Sequence, residues 1–419
     1  MTERPTGGWT PGERPAWVRH VLAGEGGPIY EPARRRFEPD QLQAEAASIT
    51  DLDDFGGDSH LEGLGVLCTA LEDEADLHLL GRWRARGQIL RLLENRLRIV
   101  ELERRHPDLA DQVVVAPLVV TGSPRAGTSI THQLLSLTAG ARAPLAYEFW
   151  RPTPPPTGDP DDPRIAAADL DVRLTAALSP GFDGIHEQGG LLPRECPHAM
   201  AHDFRADIFG GHYWVPTYED WLTDTDFTSA YDWHRRILAI LQLRRPTQRW
   251  VLKAPGHLTA LPTLLDTYPD ASVVICHRDP LDMVSSVTSL LATLHHSHAD
   301  HVDAVRLAAA QSAKFAAQYD RLMAWLDGGM LDPERLAHQH FAAFNDDPVA
   351  AVTAIHQRFG LAFDDADRAA LVDHLGERPR GRLGGHDHDW SRIGLDHAIE
   401  RARFARYQDR FGVPSEVTP

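Results

Sequence analysis

Three short stretches carry residue types suited to chemistry on an anion. The first is Pro117–Leu135, PLVVTGSPRAGTSITHQLL. Val113–Val120 reads as a buried strand, Gly122–Gly127 as a turn, and Thr128 onward places Ile130, Leu134, Leu135 and Leu137 at helical spacing. A strand, a small-residue turn and a helix start together bind phosphate or sulfate, because free backbone N–H groups and the helix dipole face the ligand. Gly127 admits close backbone approach, Thr128 and Ser129 offer hydroxyls, and Arg125 offers a planar cationic fork. Gly122 and Gly127 have the spacing of the nucleotide loop G-x-x-x-x-G-K-[ST], but Thr128 stands where that motif has Lys.

The second stretch, WVLKAPGH, ends an apolar strand on Lys253, which directs that side chain to the same rim as the Gly-containing turn. The third, VVICHRDPLDMVSS, delivers Arg278 at a strand end and Ser286 eight residues on, in the following helix. Arg278 with a hydroxyl makes a second anion site; the alternative is Arg278 paired with Asp279 or Asp282 and Ser286 filling a helix. Of the 42 Lys plus Arg, only Lys253 and Lys314 are Lys. In a chain so biased to Arg, a surviving Lys marks a place for a compact, proton-donating ammonium.

The elements that must position these groups follow from periodicity. Residues 1 to about 45 are rich in Pro, Gly and Arg and read as an extended arm. Leu61–His106 is helical, two or three helices with Trp83 and a Leu stripe as packing. Strands are expected over Arg249–Lys253, Ala271–His277 and Leu336–Phe341, separated by helices, which argues for a doubly wound parallel sheet. The expected organisation is an N-terminal arm and helical cap over 1–110, then an α/β domain over 111–419. An aromatic, His-rich helical insertion at about 150–248 is the expected acceptor pocket. The His295, His296, His298 and His301 cluster fits no closed zinc pattern and reads as a solvated helix end.

Composition sets limits. The net charge of −18 argues against nucleic acid or an anionic membrane as partner, and it demands a local basic cluster for any phosphate. Three Cys make no disulfide framework, no leader pattern opens the chain, and no apolar run nears membrane-spanning length. A cytoplasmic protein is expected, with no metal and with its oligomeric state open.

GSPRAGTS, WVLKAPGHL and VVICHRDPLDMVSS, in this order, resemble the sulfotransferases that use 3′-phosphoadenosine 5′-phosphosulfate, and more closely their bacterial branch acting on lipids and other small molecules. YEFWRPTPPP, PRECPH, YPDA and HFAAFNDDP support the likeness, which runs from roughly Leu61 to the end. The resemblance implies a P-loop-like three-layer α/β/α fold with a central parallel sheet. It implies that Ser123, Arg125, Ala126, Gly127, Thr128 and Ser129 hold the 5′-phosphosulfate, and that Arg278 and Ser286 hold the 3′-phosphate. The late glycine-rich stretch RPRGRLGGHDHDW adds Arg380, Arg382 and His386 over the nucleotide. Arg125 replaces the Lys that many members carry, so Lys253 is the natural electrophilic partner. For the base, Glu148 resembles the carboxylate of glycan sulfotransferases and His257 the catalytic His of cytosolic small-molecule enzymes; His186 and Glu195 are further candidates. The resulting expectation is transfer of a sulfuryl group from that donor to a hydroxyl or amine of a small-molecule or lipid acceptor. Two alternatives remain, an ATP-dependent small-molecule kinase with a degenerate loop and a silent nucleotide-binding module.

Overall fold

The computed structural model describes residues 9–25, 30–184, 187–378 and 389–417. Five strands form one parallel sheet: β1 (Leu118–Thr121), β2 (Ala141–Arg142), β3 (Arg249–Lys253), β4 (Ser272–His277) and β5 (Leu336–His340). Their order is β2-β3-β1-β4-β5, so the chain leaves the central β1, builds one side, then crosses to the other. Every residue of β1 is buried, as are all but the first of β3 and β4. Such near-continuous apolar strands are what a parallel sheet covered on both faces requires. The mixed α/β fold expected from strand–helix alternation is therefore the observed one.

Register sets the site. Val120 lies beside Lys253, and Thr121 beside Ile275. The C-terminal ends of β1, β3 and β4 thus open side by side where the strand order reverses, the usual ligand crevice of such sheets. Strand β1 is shorter than the apolar run suggested. Val113 and Val115 are exposed, because that segment lies outside the sheet, whose pairing on both sides of β1 begins at Leu118.

The N-terminal region is more helical than its composition indicated. Ala16–His20, Tyr30–Arg34 and Pro39–Thr50 are helices, and the last packs on the long helix Leu79–Arg105. Leu42 and Ala46 give it a buried face that short apolar spacing had hidden. Trp83 is 39 % exposed and is not core packing. The main hydrophobic core runs from Phe37 to Val413 and joins the helix Pro39–Thr50 to the sheet, while Val18 packs with Leu80 and Leu178 in a separate small cluster. Asp203 is a polar hub within the main core, meeting Arg96, Arg205 and Ser229 at 3.3, 3.0 and 2.6 Å. No helix among the described residues is long and apolar enough to cross a membrane.

The His295–His298 segment is buried, not solvated. The helix Pro280–His296 ends under its neighbours: His295 Nε2 lies 2.9 Å from the Gly210 carbonyl, and Arg14 donates to the His296 carbonyl. Burial of imidazole recurs. Desolvation lowers His202 and His234 to about 3. Desolvation, then Lys253, lowers His132 to about 4. These side chains stay neutral in the folded protein while the unfolded chain titrates near its ordinary value of about 6.5. Stability is therefore full above that pH and is lost as pH falls toward 3 to 4, by up to about 1.4 kcal/mol per pH unit for each imidazole. Urea unfolding should show stability falling already between pH 6.5 and 5, before most carboxylates titrate. A flat profile across that window would contradict the burial of these rings as neutral groups.

Candidate functional site

The turn after β1 owes its shape to positions where a side chain would not fit or where φ is left-handed. At Gly122, φ is 136°, and an added Cβ would stand 2.5 Å from the Cys276 carbonyl oxygen. Only Gly lets the turn pass this close to β4. Arg125 takes φ 74° and Gly127 φ 85°, the first a costly conformation for a side-chain-bearing residue. The turn closes with Ala126 N–H donating to the Ser123 carbonyl at 3.2 Å. The helix Thr128–Leu135 then starts with no side-chain cap, so its first N–H groups are left for a ligand.

Two cations flank the turn. Arg125 Nε donates to Ser286 Oγ at 3.0 Å. Arg278 Nη1 donates to the Arg125 carbonyl at 3.2 Å, and its guanidinium lies 4.1 Å from the centre of the Phe341 ring. Desolvation, then Arg278, lowers the pKa of Arg125. Arg278 is also ion-paired, with Asp282 at 2.6 Å and Glu416 at 3.0 Å, so both sequence readings hold part of its environment. Asp279 is not its partner. That carboxylate is fully buried, pairs with Arg401 at 2.6 Å and accepts the amides of Leu281, Glu416 and Val417. It anchors the strand end from which Arg278 projects.

Lys253 is 2 % exposed at the end of β3. Its Nζ donates to Ser129 Oγ at 3.0 Å and to Glu195 Oε1 at 2.5 Å. Glu195 reaches it from the insertion because the adjoining backbone is tied to the sheet. Cys196 N–H donates to the Lys253 carbonyl at 2.8 Å, and Arg194 N–H to the Pro144 carbonyl at 2.8 Å. Arg194 Nε donates to His198 Nε2 at 3.0 Å, and burial, then Arg194, holds His198 well below its ordinary value as a neutral acceptor.

These groups face one cavity of about 490 Å³. Arg125, Gly127, Thr128, Ser129, Arg278 and Phe341 line its anion end. Lys253, Glu195, Arg194 and His198 line it too, and Val287, Leu290, Leu291 and Leu294 add apolar lining. Asp207, Glu219, Gln311 and Lys314 are polar lining residues that sequence spacing did not single out as a group, although the rarity of Lys marked Lys314.

Not every expected residue meets this cavity. Ser123 is buried at the root of the turn, Ala126 at its back, and Ser286 is reached through Arg125. Glu148 is fully buried and is absent from the lining residues. Its Oε2 accepts the Leu145 N–H at 2.9 Å in a helix capping box, and its Oε1 accepts from Arg142 at 2.5 Å and Arg245 at 3.2 Å. His257 also lies off the cavity wall, stacked on Tyr231 with Nδ1 2.8 Å from that hydroxyl. Burial, then His234 and Lys253, pushes its pKa well below the ordinary value. His186, Arg380, Arg382 and His386 lie outside the described residues.

An open helix start, flanking guanidiniums and a lysine at a strand end are groups that can hold an anion, and comparison with known proteins gives the chain a family. The sequence model of the Sulfotransferase family matches residues 117–365, more than half of the chain. No curated protein matches. Among solved structures, sulfotransferase STF1 from Mycobacterium tuberculosis H37Rv is 28 % identical with a TM-score of 0.76, the match covering 89 % of this chain and 100 % of that one. Sulfotransferase STF9 from Mycobacterium avium is 24 % identical with a TM-score of 0.81, covering 92 % and 99 %. With its P-loop-like α/β fold, the chain belongs to the sulfotransferase family.

Proposed function

We propose that the protein transfers the sulfuryl group of 3′-phosphoadenosine 5′-phosphosulfate to a hydroxyl of a small-molecule or lipid acceptor, as an enzyme of the cytoplasm. The observation that carries this reading is the placement of Lys253, a buried ammonium at the end of β3 bonded to Ser129 of the helix start and to Glu195. Family membership sets aside the kinase alternative, for which Thr128 in place of the loop Lys was already unfavourable.

The chemistry follows from charge. Sulfuryl transfer forms a bond from the acceptor oxygen to sulfur and breaks the bond to the bridging oxygen, leaving adenosine 3′,5′-bisphosphate. Negative charge grows on the bridging oxygen, and fixed donors aimed there lower the barrier. In this reading Lys253 donates to that oxygen, while the free N–H groups of Gly127–Ser129 and Arg125 hold the sulfuryl and phosphate oxygens. Arg278 and Ser286 take the 3′-phosphate, with Arg278 exchanging the Glu416 carboxylate for a phosphate oxygen. Glu195 is our choice of base. It lines the cavity beside Lys253, and it takes the acceptor proton as the new bond forms. Glu148, the first choice from sequence, is spent on a cap and two guanidiniums.

Two carboxamide substitutions separate these roles. Glu195→Gln should lower the single-turnover rate by roughly 10²–10⁴-fold with nucleotide affinity retained. Glu148→Gln should instead act on the fold, costing about 3–5 kcal/mol by leaving its guanidinium partners uncompensated. A Glu148→Gln enzyme of parental stability and no activity would return the base to Glu148. Lys253→Arg should bind nucleotide yet turn over slowly, since the planar fork cannot replace a compact proton donor.

The basic groups supply the charge that a divalent ion supplies to phosphoryl-transfer enzymes. Transfer from labelled donor to a phenol acceptor should therefore proceed undiminished in EDTA. Complete loss in EDTA, restored by a divalent metal, would overturn the mechanism.

A further inference from the structure

Arg278, read as the holder of the 3′-phosphate, already carries protein oxygens on all three of its guanidinium nitrogens. Nη1 donates to the Arg125 carbonyl at 3.2 Å. Asp282, one helical turn on, lies 2.6 Å from Nη2. Glu416 takes the outer edge, with its two carboxylate oxygens 3.3 and 3.1 Å from Nε and the second of them 3.0 Å from Nη2. A guanidinium edge of two adjacent nitrogens is the geometry that grips a phosphate or a carboxylate. Here a carboxylate of the chain itself has it.

The main chain fixes the place of Glu416. The N–H groups of Glu416 and Val417 donate to Asp279 Oδ2 at 2.6 and 2.9 Å. Arg401 Nη2 donates to the Val417 carbonyl at 2.8 Å, and Gln408 Nε2 to the Val413 carbonyl at 3.2 Å. These ties hold the segment on both sides of Glu416 without using its side chain. Among the described residues the carboxylate itself bonds to Arg278 alone. Two carboxylates thus share one guanidinium, and they oppose each other. Burial raises the pKa of Asp282, Arg278 lowers it, and Glu416 raises it again. Of the two, Glu416 is the one a ligand can displace. Its side chain is 32 % exposed against 15 % for Asp282, and an exposed side chain changes rotamer rapidly.

We infer that Glu416 is a built-in competitor for the 3′-phosphate: its carboxylate stands in the place of that phosphate on Arg278, and a nucleotide carrying one must displace it. The inference rests on the reading of Arg278 as the 3′-phosphate holder. A tethered competitor returns as soon as the site is free, because its local concentration is high. The apparent affinity for a 3′-phosphorylated nucleotide falls by the fraction of the protein with the site open. Donor and product both carry that phosphate, so the grip on the spent bisphosphate is loosened as well. A nucleotide without a 3′-phosphate does not need the site and loses nothing.

Calorimetry on the full chain and on Glu416→Gln tests it. Glutamine keeps the side-chain length and removes the charge, and the main-chain ties to Asp279 remain. Glu416→Gln should bind adenosine 3′,5′-bisphosphate roughly fivefold more tightly than the parent, the factor of one partly exposed ion pair. Its affinity for ADP should stay at the parental value. Glu416→Ala should repeat the gain for the bisphosphate. Unchanged or weaker binding of the bisphosphate, or an equal gain for ADP, overturns the inference and leaves the donor reading standing. Bisphosphate binding by neither protein overturns both.

Discussion

The buried ammonium of Lys253 is the constraint around which the other parts are arranged. An isolated ammonium at 2 % exposure would cost several kcal/mol in lost hydration. The cost is met by Ser129 Oγ at 3.0 Å and Glu195 Oε1 at 2.5 Å, one from the anion-binding helix and one from the insertion. Three separate parts of the chain therefore converge on one charge. Strand β3 supplies it, held in register beside Val120 of β1. The insertion returns to it because Cys196 N–H bonds to the carbonyl of Lys253 itself. A pair this close fixes the direction of the ammonium between the anion-binding helix and the insertion.

The anion end works by the same economy. The protein as a whole is strongly acidic, so a phosphate or sulfate must be held by local groups whose effect survives screening over roughly 8–10 Å. Here these are backbone N–H groups and two guanidiniums in contact through the Arg125 carbonyl. Guanidiniums this close repel, and Ser286, Asp282 and Glu416 offset the repulsion. Asp279, whose buried carboxylate accepts from four residues, ties the strand end, the helix after it and the C-terminal segment into one unit. The left-handed Arg125 and the absence of room beside Gly122 show a backbone shaped for close approach rather than for local ease.

How much of this was legible depends on what each signal encodes. Strand ends and turns are local, so GSPRAGTS, Lys253 and Arg278 were placed on one rim from spacing alone, and the parallel sheet followed from alternation. Side-chain direction inside a long insertion is not local. Glu148 sits shortly after the anion-binding helix in sequence, but a capping box turns it toward Arg142 and Arg245. Glu195, Asp207, Glu219 and Lys314 meet only through tertiary packing, and nothing in their spacing predicts it. The histidines near 295 looked polar and therefore solvated, while neighbouring helices cover them. Pro- and Arg-rich composition masks the narrow buried face of the helix Pro39–Thr50, made by Leu42 and Ala46.

The central claim is that the crevice at the ends of β1, β3 and β4 is built for a 3′-phosphorylated adenine nucleotide without metal. Calorimetric titration in EDTA with adenosine 3′,5′-bisphosphate, and in parallel with ADP, tests it most directly. An extra charged hydrogen bond to the 3′-phosphate is worth roughly 1.5–3 kcal/mol, so the bisphosphate should bind at least about tenfold more tightly. Equal or tighter binding of ADP, or no binding of the bisphosphate, would contradict the account.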